Sequence, residues 1–231
     1  MITNNLSEIY KRIYRAALKS DRDPKDVTLL AVSKTFPLDK IVEAVDAGIR
    51  FFGESRVQEA EKKIKVFTEI AENKGFTNVK WHLVGHLQTN KVQKAVRLFD
   101  LIQSVDSVHL LEKIDQEARK IGKIQDVLIQ VNLSEETTKF GISEDSLIDM
   151  VKKAYSLNNV RLQGLMTLPP YFDNPEDVRP YFKRLYEIKR EIQRSGYTIY
   201  HLSMGMSHDF EVAIEEGATI IRLGTAIFGE R

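Results

Sequence analysis

Two short segments near the end of the chain carry residue types that bind phosphate. The first is HLSMGMSHDF (His201 to Phe210) and the second is TIIRLGTAIFG (Thr219 to Gly229). Each contains small residues whose backbone N–H groups can face a ligand. Ser207 and Asp209 can cap a helix, and the N-terminus of a helix attracts anions. Together the two segments predict a phosphate-binding cradle.

A lysine at the end of the first predicted strand is the second candidate for chemistry. Lys34 follows the apolar run LLAVS, so we expect its side chain to emerge into a desolvated site. Such an amine can form a Schiff base with an aldehyde, or it can simply pair with a carboxylate or a phosphate. A phosphorylated aldehyde would satisfy both the lysine and the cradle. Pyridoxal 5′-phosphate (PLP) is the commonest cofactor of that kind.

Short apolar runs alternate with helical patterns along nearly the whole chain, which is typical of repeated β/α units and a parallel sheet. The sequence predicts a single (β/α)₈ TIM-type barrel over residues 1–231, with a doubly wound sheet as the alternative. An extra N-terminal helix, roughly Asn5 to Lys19, is expected to cover the barrel where an eighth helix is missing. In a barrel the functional groups lie at the carboxyl ends of the strands. The predicted strands are Val27 to Ser33, Arg50 to Gly53, Lys80 to Val84, Leu101 to Ser104, Asp126 to Val131, Arg161 to Met166, Thr198 to Leu202 and Thr219 to Leu223.

The composition excludes several classes of function. The 34 basic residues balance 33 acidic ones, which gives no argument for nucleic acid or a membrane surface as a partner. The chain has no cysteine, and its five histidines lack the spacing of metal ligands, so no metal site is expected. No long apolar run or signal core is present. A cytoplasmic protein is the default expectation.

Six motifs, spread over nearly the entire chain, resemble those of the pyridoxal phosphate homeostasis proteins, the YggS or PROSC family. They are AVSKTFP, FGESRVQEA, WHLVGHLQTNK, GLMTLPP, HLSMGMSHDF and IRLGTAIFG. The resemblance implies a PLP-binding barrel of fold type III, related to the N-terminal domain of alanine racemase but without its second β-domain.

The resemblance also implies a set of cofactor ligands. Lys34 would be the Schiff-base lysine, Ser207 with the backbone of Gly224 and Thr225 would hold the phosphate, and Arg222 would approach the pyridine nitrogen. The family usually has asparagine where this chain has Ser55, and a cofactor contact from this serine is expected. Further contacts are expected from His82 and Met204. Met166 and Met206 are additional candidates to pack on the ring, with core filling as the alternative for Met166.

An arginine at the pyridine nitrogen opposes protonation there and weakens the ring as an electron sink. The sequence therefore predicts a monomeric carrier, not an enzyme, that exchanges PLP with free vitamer, amino acids and apo PLP enzymes. The resemblance implies that this carrier serves vitamin B6 and amino-acid homeostasis. One alternative is a PLP-dependent racemase or lyase that takes its acid or base from His82, Tyr171, Asp106 or His208. The other is a Schiff-base barrel acting on a sugar phosphate. Lys139 is either a relay for PLP transfer or an ordinary exposed loop lysine.

Overall fold

The computed structural model describes residues 1–134 and 140–230 of the 231-residue chain. Eight parallel strands close into a barrel in sequence order, and the last strand pairs with the first. The strands are β1 (Thr28–Val32), β2 (Phe51–Glu54), β3 (Lys80–Leu83), β4 (Leu101–Val105), β5 (Gln125–Gln130), β6 (Val160–Met166), β7 (His201–Ser203) and β8 (Ile220–Leu223). This confirms the barrel predicted from the alternating pattern.

Helices surround the barrel on the outside. In the described parts of the chain they are α1 (Ile2–Lys19), α2 (Leu38–Asp46), α3 (Val57–Lys74), α4 (Val92–Leu98), α5 (Val108–Lys120), α6 (Glu144–Ser156), α7 (Arg179–Arg194), α8 (Phe210–Glu215) and α9 (Thr225–Phe228). Short 3₁₀ segments cover Pro24–Asp26, Thr89–Lys91 and Pro175–Val178.

Every predicted strand exists, but the seventh was placed too early. The prediction was Thr198 to Leu202, whereas β7 has only three residues. The carbonyl of Thr198 accepts a hydrogen bond from the Tyr155 hydroxyl, and the carbonyl of Ile199 accepts one from the Gln193 side chain. Because these carbonyls bond to side chains of helices, the segment reaches the sheet later than its apolar pattern suggests.

The strands are buried on both faces, which explains their nearly continuous apolar character. One face packs against the helices and forms the main hydrophobic core. The other face points into the barrel, where a smaller apolar cluster fills part of the interior. That inner cluster consists of Leu30, Leu101, Leu128, Met166 and Ile220.

The N-terminal helix packs beside the two short helices that flank β8, as the sequence predicted, although it begins at Ile2 rather than Asn5. Its apolar residues recur every three or four positions and face the barrel. Arg12 makes two hydrogen bonds, of 3.0 and 2.7 Å, to the Glu211 carboxylate and lies over the ring of Phe210. The Asn5 side chain donates to the carbonyl of Ile227 at 2.9 Å. These contacts fix α1 against α8 and α9.

Candidate functional site

A cavity of about 500 Å³ opens at the carboxyl ends of the strands. A larger groove of about 770 Å³ lies along α3 on the outer surface of the molecule. We place the functional site at the barrel mouth, because six different strands deliver residues to that cavity and both predicted segments meet there. Its lining residues are Val32, Lys34, Phe36, Ser55, Val84, Gly85, Leu168, Tyr171, Met206, Ser207, His208, Arg222, Gly224 and Thr225.

Most of the residues singled out in the sequence therefore come together. Those that line the cavity are Lys34, Ser55, Ser207, Arg222, Gly224 and Thr225. Two others, His82 and Met204, are not part of its wall. The lining residues that the sequence analysis overlooked are chiefly apolar ones, such as Phe36 and Leu168, whose types are indistinguishable from core residues in the sequence.

Lys34 lies directly after β1, in the turn that leaves the barrel wall. Alternate side chains of a strand share a face, and in this segment Leu30 fills the barrel interior while Val32 and Lys34 line the cavity. The expectation of a desolvated lysine is wrong, because Lys34 is exposed at the cavity mouth. Its amine can thus be reached from solvent by an incoming molecule.

The part of the cavity wall that follows β7 and β8 presents backbone N–H groups beside a hydroxyl. The Ser207 hydroxyl oxygen accepts hydrogen bonds from the backbone N–H of Gly224 and of Ala226, each at 3.3 Å. Thr225 begins α9, and N–H groups in the first turn of a helix have no acceptor within the helix. The Ser207 hydroxyl and the start of α9 together form a cradle suited to an anion.

The sequence suggested that the Asp209 side chain caps a helix, but it makes no capping hydrogen bond to α8. It occupies the position before the helix, but its carboxylate accepts the backbone N–H of Met206 at 2.6 Å. Burial raises the pKa of Asp209, with opposing contributions from the Met206 hydrogen bond and the positive charge of Arg222. The carboxylate therefore closes the turn from Met206 to Asp209.

Arg222 supplies a fixed positive charge at the base of the cavity. The residue is only 4% exposed, and its guanidinium donates to the Ser203 hydroxyl at 2.7 Å and to the Thr167 carbonyl at 2.8 Å. The Ser203 hydroxyl donates in turn to the Gln103 amide oxygen at 2.6 Å. Burial lowers the pKa of Arg222 to about 10, so the guanidinium remains protonated at neutral pH.

His82 ends this buried chain instead of contacting the cavity. Gln103 presents its amide nitrogen to His82 Nδ1 at 3.0 Å, so Nδ1 accepts and the ring is neutral with its proton on Nε2. Burial lowers the pKa of His82 to about 4. The sequence placed His82 among the cofactor ligands, whereas the structure places it on β3 inside the barrel, behind Gln103.

Met204 was also expected to contact the cofactor, but it does not line the cavity. It is fully buried in the core between strands and helices. The cause is the alternation of side chains: Ser203 points inward to Arg222, so Met204 points outward. Met206, beyond the end of the strand, lines the cavity, whereas Met166 fills the barrel interior.

Ser55 is held close to the loop after β3. A Cβ built on Gly85 would lie only 2.2 Å from the Ser55 carbonyl oxygen, so the two loops can approach this closely only with glycine there. Ser55 itself is half-buried. Its short side chain lines the cavity.

Two titratable side chains other than Lys34 and Arg222 reach the cavity from the rim. Tyr171 and His208 line it, and their rings lie 5.3 Å apart. Asp106, another candidate acid or base, instead lies 3.2 Å from His86 Nδ1, and the cap of α5 comes from Ser107.

Some expectations concern features other than the cavity. Lys139 lies outside the described residues. Among residues 1–134 and 140–230, no group of three histidine or acidic side chains is arranged to hold a metal ion. None of the helices in these two segments is long and apolar enough to cross a bilayer.

Residues 5–231 match the family model described as alanine racemase, N-terminal domain. The chain is 45% identical over 227 residues to the pyridoxal phosphate homeostasis protein of Aquifex aeolicus, covering 98% of this chain and 96% of that protein. It is 39% identical over 238 residues to the protein of the same name from Escherichia coli K12, covering 100% and 97%.

A solved structure agrees with these similarities. PipY of Synechococcus elongatus, with PLP bound, superposes with a TM-score of 0.85 at 36% identity. The match covers 99% of this chain and 100% of PipY. The similarity thus extends over the whole barrel, including every strand that contributes to the cavity.

Proposed function

The chain belongs to the pyridoxal phosphate homeostasis proteins, and we propose that it holds PLP through a Schiff base on Lys34. The observation that carries this proposal is the meeting of two features in one cavity. An accessible lysine amine lines the same cavity as the hydroxyl of Ser207 and the backbone of Gly224 and Thr225. PLP has an aldehyde and a phosphate, which match these two features.

The linkage is a reversible condensation. The neutral amine of Lys34 attacks the aldehyde carbon, a C=N bond forms, and the aldehyde oxygen leaves as one water molecule. Water reverses the reaction. A second amine can also attack the imine carbon and form a new C=N bond, and its protons pass to the Lys34 nitrogen, which leaves as a free amine. Because Lys34 is exposed, free amino acids can reach this bond. Exchange with amino acids and with apo PLP enzymes is therefore part of the proposal.

Arg222 supports holding the cofactor over turning over a substrate. A buried guanidinium that stays charged at neutral pH opposes protonation of a ring nitrogen nearby. An unprotonated pyridine is a weak sink for the electrons of a carbanion, and strong carbanion chemistry commonly relies on a carboxylate partner instead. We propose a monomeric carrier for vitamin B6 and amino-acid homeostasis.

The test is the visible absorption spectrum of the protein with added PLP, before and after borohydride reduction. Wild type should show an imine band that reduction fixes as a pyridoxyl group on Lys34. Lys34→Ala should lack both the band and the label, while Lys62→Ala, which removes an exposed lysine of α3, should behave as wild type. A wild type without a band, or a label elsewhere than Lys34, would overturn the proposal and favour a barrel acting on sugar phosphates.

A second candidate function is a racemase or lyase, favoured by the position of Tyr171 and His208 at the cavity rim. Either ring could move a proton at a bound amino acid. The measurement is the loss of the amino-acid α-hydrogen in deuterated water with the loaded protein. Exchange that depends on Lys34 and falls in Tyr171→Phe or His208→Gln would establish turnover, and no exchange would exclude it.

A further inference from the structure

Three charged side chains lie behind Lys34, on the side of the barrel wall that faces the helices. We call Glu54, Glu59 and Lys63 the outer ion cluster. Glu54 shares its face of β2 with Phe52, which belongs to the core between strands and helices. Lys63 Nζ lies 2.7 Å from Glu54 Oε1 and 3.2 Å from Glu59 Oε1. The Glu54 side chain is fully buried and that of Lys63 is 10% exposed.

The outer ion cluster holds the residue before Lys34. The Ser33 hydroxyl donates to Glu54 Oε1 at 2.7 Å, and the Ser33 carbonyl accepts from Lys63 Nζ at 2.8 Å. Ser33 is fully buried, so its hydroxyl and its carbonyl are paired with the cluster in a site that excludes water, while its N–H donates to the Gly53 carbonyl at 2.9 Å. These contacts fix the backbone at Ser33, immediately before Lys34.

The same cluster holds the residue after Lys34 in an unfavourable conformation. Thr35 has a φ of +67°, in the left-handed region that a β-branched residue rarely adopts. Its backbone N–H donates to Glu59 Oε1 at 2.6 Å, the oxygen that also faces Lys63. Strained residues of this kind persist only where the surroundings hold them, and they are common at functional sites. Glu59 provides that hold from outside the cavity.

We propose that Glu59, oriented by Lys63, is a positioning residue for Lys34. By holding the left-handed turn at Thr35, Glu59 directs the lysine side chain into the cavity, where the amine meets the aldehyde. Glu59 acts through the backbone and makes no contact with the cofactor. The inference rests on the proposed Schiff base at Lys34 and adds a residue that the sequence analysis did not identify.

Two substitutions at Glu59 separate the hydrogen bond from the charge. Glu59→Ala removes the acceptor of the Thr35 N–H, whereas Glu59→Gln keeps an oxygen there. Both should fold, because Glu59 lies at the surface with its side chain 29% exposed. Glu61→Ala is the control, since Glu61 lies on the same helix and pairs with Lys94 at the surface.

The first readout needs no cofactor. Hydrogen exchange at the Thr35 amide of the unloaded protein should be about tenfold faster in Glu59→Ala, as expected for loss of a hydrogen bond to a charged group. Glu59→Gln should retain most of the protection, and Glu61→Ala should match wild type. Exchange in Glu59→Ala equal to that of wild type would overturn the proposal.

The second readout uses PLP and compares covalent with noncovalent binding. The ratio of imine, fixed by borohydride, to total bound PLP should fall about tenfold in Glu59→Ala, as expected for the lost hydrogen bond, and recover in Glu59→Gln. A uniform loss of binding, or a glutamine variant as deficient as the alanine one, would refute positioning through Thr35. Absence of the imine in wild type would instead refute the proposed function. The two failures are therefore distinguishable.

Discussion

Replacing Lys63 with methionine should reveal how strongly the outer ion cluster depends on its only cation. Lys63→Met keeps the length and apolar character of the side chain but leaves the fully buried Glu54 carboxylate without its partner. Breaking a buried ion pair from one side costs about 3 to 5 kcal/mol. The Ser33 carbonyl and Glu59 lose the same donor. We expect a loss of about 3 kcal/mol in the free energy of unfolding at pH 8.

The loss should depend on pH in a direction fixed by Glu54. Burial already raises the pKa of Glu54, and the hydrogen bonds from Lys63 and Ser33 oppose that rise. Without Lys63 the pKa of Glu54 rises further, so the folded variant binds a proton that the unfolded chain releases above its ordinary pKa of 4.5. Stability of the variant relative to wild type then falls as pH rises above that value, by at most about 1.4 kcal/mol per pH unit.

Urea unfolding at pH 5.5 and pH 8 measures both quantities. Lys63→Met should be distinctly less destabilised at pH 5.5, and adding Glu54→Gln should recover much of the loss at pH 8 because the buried charge is removed. Lys62→Met serves as the control, since Lys62 is exposed on the same helix. An equal loss at both pH values, or no recovery in the double variant, would refute the assignment of the cost to an unpaired Glu54 carboxylate.

Two further predictions concern the buried polar chain. Ser203→Ala should lower the free energy of unfolding by about 2 kcal/mol, because Arg222 and Gln103 lose a buried partner. Ser207→Ala should mainly weaken phosphate binding. Urea unfolding and PLP titration distinguish the two variants, and an equal loss of stability in both would contradict the prediction. By NMR, His82 should remain neutral with Nε2 protonated from pH 9 to pH 5 and protonate near pH 4; a midpoint near 6.5 would contradict the buried acceptor role.

The barrel could be predicted from the sequence because its strands are buried on both faces, whereas its helices bury only one side. Runs such as TLLAV therefore differ in period from the helices around them, and their order along the chain is also their order in the barrel. The seventh strand was misplaced because side chains of Tyr155 and Gln193 capture its first carbonyls. Contacts of that kind join distant parts of the chain and leave no local pattern.

The site could be predicted where residue type and position agree. Lys34 and Arg222 follow or end apolar strands, and a strand end in a barrel is a functional position. Met204 was assigned by residue type alone, and the hydrogen bond that Arg222 donates to the neighbouring Ser203 shows that Met204 lies on the other face. Glu59 and Lys63 were not identified from the sequence, because residues at this spacing are commonly an ordinary ion pair on a helix surface. Their contacts with the turn around Lys34 depend on the docking of α3 against β1 and β2, which the sequence does not encode locally.

The pairing of β8 with β1 has a consequence for how the protein is made. Lys34 follows the first strand and Arg222 belongs to the last, so the chemical centre joins segments separated by almost the full length of the chain. Contacts of such long range form late in folding, because the entropy of closing the intervening chain opposes them. During synthesis, the lysine emerges from the ribosome long before its cradle exists. The protein can therefore capture a reactive aldehyde only after the barrel has closed. An incomplete chain presents the lysine without the cradle that would retain the aldehyde.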